Sequence, residues 1–126
     1  MGLSDAKVGA AIAVSDMQRA REFYEGQLGL TGGEDTGDSG HTYPCGGGTE
    51  LHIFPSAGAG KSESTIAGFT VDDVETTVDE LSGKGVAFEH YDDPVNTDDK
   101  GIATFDDLKG AWMKDPDGNV LAITGR

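Results

Sequence analysis

The order of elements in this chain occurs twice, and that repetition constrains the fold more than any single motif does. Residues 7–14, KVGAAIAV, form an apolar run that stops at Ser15-Asp16. Met17, Ala20, Phe23, Tyr24 and Leu28 then recur at helical spacing until Gly29. This predicts a buried strand, a capping residue and an amphipathic helix closed by glycine. Residues 65–71, TIAGFTV, stop at Asp72-Asp73, and Val74, Val78 and Leu81 repeat the stripe of Met17, Arg21 and Tyr24 before Gly83 and Gly85. Strand-like pieces follow each helix. Each half therefore carries one helix on one face of a sheet, and the opposite face must be covered by its counterpart or left as a concave site. The expected fold class is α+β: two βαβββ modules around a shared cavity, with the helices outside. One domain spans residues 1–126, with modules at 5–58 and 59–126.

Between these landmarks the pattern is readable strand by strand. TGGEDTGDSG, residues 31–40, reads as a flexible polar segment, and HTYPC, residues 41–45, as a strand disturbed at its end by proline. Gly46-Gly47-Gly48 reads as a turn into TELHIF, which stops at Pro55; no helix follows these glycines, so they do not suggest a phosphate cradle. SAGAGKSE, residues 56–63, is the expected linker. In the second half VAFEHY predicts an alternating strand and residues 92–101 an acidic loop, followed by strands IATF, GAWMK and NVLAI. Asp115-Pro116-Asp117-Gly118-Asn119 predicts a tight hairpin between the last two, because proline presets φ while glycine and asparagine accept positive φ.

Composition narrows the partners. The chain has 23 acidic and 9 basic residues, a formal charge of −14, which opposes binding to nucleic acid or to an anionic membrane. No run approaches the roughly 20 apolar residues of a membrane span, so a soluble, cytoplasmic protein is the expectation. Cys45 is the single cysteine, which excludes an intrachain disulfide and a multi-thiolate metal site. It reads as a small buried hydrophobe, with a reactive thiol as the alternative. No serine–histidine–acid triad or thiol–histidine dyad is evident.

Three stretches, IAVSDMQRAREFYEGQLGL, FTVDDVETTVDELSGKGVAFE and AWMKDPDGN, make the chain resemble, over essentially its whole length, the vicinal oxygen chelate superfamily of glyoxalases, bleomycin-resistance proteins and extradiol dioxygenases. The resemblance implies a cup-shaped mixed sheet built from the two modules, homodimers, and in many members a divalent metal in the cup. Metal ligands of such members fall on the first and last strands of each module. Here the corresponding positions are Gly9, Ile66, Glu50 and Ala122. Only Glu50 carries a donor, whereas a divalent cation usually needs three or four protein donors. His52 shares a strand face with Glu50, and His41 is a further possible donor. No cofactor is expected; a divalent metal is the alternative.

If the alignment holds, alternation lists the cup-facing side chains. These are Gly9, Ala11 and Ala13; Glu50, His52 and Phe54; Ile66, Gly68 and Thr70; and Val120, Ala122 and Thr124. Trp112 either adds a stacking surface or packs in the core, since the hairpin register is open. His41 and Tyr43 share a strand face that reads as a solvated edge. The ligand-binding candidates are Glu50, His52, Phe54, Ile66, Thr70 and Trp112, and Glu50 with His52 is the candidate proton-handling pair. The leading expectation is a metal-independent binder of a small organic molecule. The alternatives are a glyoxalase- or dioxygenase-like enzyme using Glu50 and His52, and a ligandless interaction module.

Overall fold

The computed structural model describes residues 2–35 and 40–126, and the chain divides into two compact units, Met1–Ala59 and Gly60–Arg126. In the first unit a short 3-10 turn, Gly2–Asp5, precedes β1 (Ala10–Val14), α1 (Met17–Arg21), β2 (Glu34–Asp35), β3 (His41–Pro44) and β4 (Glu50–Pro55). The sheet order is β1-β4-β3-β2. β1 and β4 run parallel, and the other pairs are antiparallel.

Asp16 caps α1, its carboxylate accepting from the Arg19 amide at 3.1 Å. The helix does not stay α-helical to its end, as the spacing predicts. It widens into a π-helix over Glu22–Gln27, with the Leu28 amide donating to the Phe23 carbonyl five residues back at 2.9 Å. Phe23 and Tyr24 are adjacent in sequence yet both buried, their rings edge to face at 5.1 Å. The wider turn accompanies this pairing; a regular helix directs neighbouring side chains about 100° apart. Gly29, at φ 79, ends the element as expected.

The helix packs on β4. Ile12 and Val14 from β1, Leu51 and Ile53 from β4, and Ala20, Phe23 and Tyr24 form the buried face. Each large apolar side chain buried there contributes about 1.5–3 kcal/mol, so truncating fully buried Ile53 to alanine would cost about 2–5 kcal/mol. His41 and Tyr43 join this face, at 6% and 0% exposure. The expectation of a solvated edge is corrected: β3 is flanked by both β2 and β4, and its register sets His41 opposite Ile53 and Tyr43 opposite Leu51, on the buried face, with Thr42 and Pro44 on the other side. The polar segment 31–40 contributes β2, paired with β3 through Glu34↔Thr42 and Asp35↔His41; its residues 36–39 lie outside the described ones. Gly46–Gly48 forms a 3-10 turn between β3 and β4, closed by the Cys45 amide donating to the Thr49 carbonyl at 2.8 Å.

The second unit repeats this plan with β5 (Thr65–Val71), α2 (Val74–Gly83), β6 (Ile102–Phe105), β7 (Leu108–Lys114) and β8 (Val120–Gly125). Its sheet order, β5-β8-β7-β6, matches the first strand for strand, with β5 and β8 parallel. Asp73 caps α2 through the Thr76 amide at 3.1 Å. Val74, Val78 and Leu81 are buried with Met113, Leu121 and Ile123, and α2 packs on β7 and β8. The fold class is α+β.

VAFEHY does not form the predicted strand. One bridge, Phe88↔Met113, and the Glu89 amide on the Trp112 carbonyl at 2.8 Å tie its backbone to β7. β6 already pairs with residues 108–111 along that edge, which leaves only the end of β7 for another segment. Past Glu89 the backbone turns into the acidic loop, where Tyr91 and Thr97 exchange hydrogen bonds.

The hairpin at Asp115–Asn119 forms as predicted, joining Lys114 to Val120 across β7 and β8. Asp115 and Asn119 are buried there. The Asp115 carboxylate accepts from the amides of Asp117 at 2.9 Å and Asn119 at 2.8 Å and from the Asn119 side chain at 2.8 Å. Asn119 in turn accepts from the Gly60 amide at 3.1 Å. Among the described residues no helix is long and apolar enough to cross a membrane.

Candidate functional site

In the first unit, alternation along β4 puts Leu51 and Ile53 against the helix and Glu50, His52 and Phe54 on the opposite face. The parallel register sets Ala11 beside His52 and Ala13 beside Phe54, so the aromatic side chains have small neighbours. The His52 and Phe54 rings are near parallel, 15° apart, with centroids 5.9 Å apart. Glu50 is exposed at the strand's start.

Thr42 completes this group. It pairs with His52 across the β3–β4 hairpin, and its hydroxyl lies 2.7 Å from His52 Nδ1. Sequence reasoning missed it, although the signal was present: Thr42 and His52 lie equally far on either side of Gly47, the centre of the glycine turn. A carboxylate was the expected partner of the imidazole, but the hydroxyl of Thr42 occupies Nδ1. That bond orients the ring and ties its tautomer to the hydroxyl.

His41 cannot join Glu50 and His52, because it lies on the helix face of β3, with its Nε2 3.3 Å from the Gly32 carbonyl oxygen and its buried Nδ1 without a hydrogen-bond partner among the described residues. Gly9 carries no donor, and a Cβ added there would come within 3.2 Å of the Glu50 carbonyl oxygen. Among the described residues no cluster of three or more His, Cys, Asp or Glu could hold a metal ion.

The second unit places its candidates on the corresponding face. Trp112 stands opposite Ala122, which neighbours Gly68 in turn. The register that the sequence left open thus turns the half-buried indole away from Met113 and Ala111, which are fully buried on the other side. Thr70 pairs with Thr124, and both are exposed. Ile66 is exposed like Gly68 and Thr70, with half-buried Ala67 and Phe69 alternating between them, and a β-bulge between Thr65 and Ala67 leaves it without a register partner in β8. Val120 and Ala122, expected among the cup-facing side chains, are buried on the face that carries Trp112.

A charged cluster braces the helix side of the first sheet. The Tyr43 hydroxyl donates to Glu25 at 2.7 Å, and the Arg21 guanidinium donates to the same oxygen at 2.7 Å. These two donors, Arg21 first, hold the Glu25 carboxyl below its ordinary pKa. Burial, reinforced by Glu25, pushes the Tyr43 phenol well above its own, so it stays a hydrogen-bond donor. Burial also raises the Cys45 thiol, which lowers its thiolate fraction, although the side chain is half-buried and not enclosed as a core hydrophobe would be. A shallow depression of about 570 Å³ lies along the helical segment, lined by Met17, Gln18, Arg21, Glu22, Glu25 and Gly26. All six belong to that one segment, and none is a sheet-face residue.

Known proteins share this architecture. The antibiotic-binding protein TnmS3 from Streptomyces sp. CB03234 is 24% identical, with a TM-score of 0.71 over 99% of this chain and 98% of that one. The glyoxalase/bleomycin resistance protein from Catenulispora acidiphila is 20% identical, with a TM-score of 0.68 over 95% and 97%. A glyoxalase/bleomycin resistance protein/dioxygenase from Alicyclobacillus acidocaldarius is 18% identical, with a TM-score of 0.72 over 99% and 94%. No curated protein sequence matches. The duplicated strand–helix–sheet plan coincides with the match of a family model to residues 8–123, and the chain belongs to the glyoxalase/bleomycin resistance protein/dioxygenase superfamily.

Proposed function

We propose that this protein is a metal-independent binder of a small organic molecule, held against the sheet faces that turn away from the helices. The observation that carries the reading is the donor set of β4's open face. Glu50 and His52 stand beside Ala11, Ala13 and Phe54, while His41 is committed to the opposite face. Two donors suffice to orient an organic ligand but not to hold a divalent cation against water. Phe54 and the His52 ring offer apolar contact, Glu50 a hydrogen-bond acceptor, and Thr42 fixes the imidazole. In the second unit Thr70 and Trp112 offer a hydroxyl and an aromatic surface, with Ile66 at their margin. The similarity in fold to an antibiotic-binding protein supports including antibiotics in a ligand search. A homodimer is part of this proposal.

Two measurements test it. A thermal-shift screen of aromatic metabolites and antibiotics should yield compounds that stabilise the protein, since a ligand at 100 times its Kd adds about 2.7 kcal/mol. Glu50→Gln and His52→Ala should reduce that stabilisation. Elemental analysis of protein purified without chelator should find no stoichiometric divalent metal. Stoichiometric zinc, nickel, manganese or iron would overturn metal independence, and a broad screen without a hit would overturn binding.

A further inference from the structure

We infer that Trp112, Tyr91 and Phe105 in the second unit form a binding site for an organic ammonium cation. The ring of Tyr91 stands at 76° to the Trp112 indole with centroids 5.6 Å apart, and that of Phe105 at 84° and 6.5 Å. Two rings that each stand nearly perpendicular to the Trp112 indole offer π-faces in more than one direction beside it, and such faces attract an alkylated ammonium group through the ring quadrupole. Aromatic packing alone would produce edge-to-face pairs as well, but it would not leave the rings open. Tyr91 is 37% and Phe105 48% exposed, whereas Val74, Val78, Met113 and Leu121 on the helix side of the sheet are at most 1% exposed.

Each ring is held by its backbone. Trp112 lies in the middle of β7, and its six-membered ring passes so near Gly110 that an added Cβ would meet Cη2 at 3.4 Å. Tyr91 is fixed by the Thr97 hydroxyl, which accepts from its amide at 2.8 Å, and by the Thr97 amide donating to its carbonyl at 3.0 Å. Phe105 ends β6, paired with Leu108 across a two-residue turn. The site is therefore preorganised, which lowers the entropic cost of binding.

Charge selects the ligand's sign. Asp92-Asp93 directly follow Tyr91 and Asp106-Asp107 directly follow Phe105, with Asp107 3.8 Å from the Arg126 guanidinium, in a chain of formal charge −14. Such a field concentrates cations and repels anions. Of the two lysines in β7, Lys109 pairs with Glu75 and Lys114, which alternates onto the face of Trp112, pairs with Glu89 at 3.6 Å. The inference extends the ligand-binding reading of Trp112, but it needs neither Glu50 nor His52.

Trp112 is the only tryptophan, so intrinsic fluorescence reads the site directly. Titration with choline should give a saturable change, and 3,3-dimethylbutan-1-ol, its neutral isostere, should bind about tenfold more weakly or worse, the ratio that about 1.4 kcal/mol of cation–π attraction produces. Tyr91→Leu and Phe105→Leu should each weaken choline at least about fivefold while the thermal midpoint without ligand stays close to that of the parent. Equal responses to both compounds, or no saturable response to choline, would overturn the inference. A ligand from the wider screen that depends on Glu50 would then leave the general binding reading standing. Saturable, cation-selective binding by a protein for which no ligand depends on Glu50 or His52 would support this site and remove only the binding role of that pair.

Discussion

The Thr42 hydroxyl and His52 Nδ1 are 2.7 Å apart across the β3–β4 hairpin, so a side chain of the third strand sets the imidazole of the fourth. Thr42→Val keeps the shape and removes the hydroxyl. In protein labelled with ¹⁵N at histidine, the His52 ring signals should move toward a tautomer average while backbone amide spectra stay close to the parent. Any ligand that depends on His52 should lose about five- to tenfold in affinity, the worth of one hydrogen bond. Unchanged ring shifts would show that Thr42 does not orient the ring.

The Tyr43–Glu25–Arg21 cluster should make stability pH-dependent. Because the folded-state pKa of Glu25 is depressed, its contribution is fully present above the unfolded value, about 4.3, and is lost as pH falls through the folded one. Tyr43→Phe removes one donor to a carboxylate whose side chain is 37% exposed. After allowance for solvent screening we expect a loss of about 1 kcal/mol at pH 7. Chemical denaturation at pH 7 and pH 3 should show the gap between variant and parent narrowing in acid. A gap that widens would refute the assignment.

At the β7–β8 hairpin, the buried Asp115 carboxylate accepts from two amides and one side chain. Asp115→Ala strands these donors and should cost about 3 kcal/mol or more, whereas Asp115→Asn keeps one acceptor oxygen and should cost less. Gly60→Ala should also be severe: at φ 70 its Cβ would overlap the Asp117 carbonyl oxygen at 1.9 Å. Equilibrium unfolding midpoints measure all three. Near-parental stability for Asp115→Ala would mean that the turn holds without its carboxylate.

Asp106 occupies the left-handed region at φ 56 in the β6–β7 turn. Asp106→Val should destabilise by about 1–2 kcal/mol. Asp106→Gly relieves the strain but adds unfolded-state entropy of similar size, so its effect should fall within about 0.5 kcal/mol of zero. Thermal denaturation of the pair checks the sign, and a valine variant as stable as the parent would contradict the backbone assignment.

Sequence by itself determined the parts of this protein whose physics is local. Alternation along TELHIF decided which side chains of β4 share a face, Asp16 and Asp73 marked the helix starts because a cap bonds within one turn, and DPDGN marked a reversal through its own φ preferences. The candidates Glu50, His52 and Phe54 were legible for the same reason. Tertiary structure alone decided what depends on neighbours distant in the chain. His41 and Tyr43 became buried because the β3–β4 register sets them opposite Ile53 and Leu51, VAFEHY lost its strand because β6 occupies most of the edge it would need, and Trp112 acquired Tyr91 and Phe105 through pairing registers and loop closure. A strand's own pattern says that its two faces differ; which face meets the helix and which stays open is settled only when register brings the partners together.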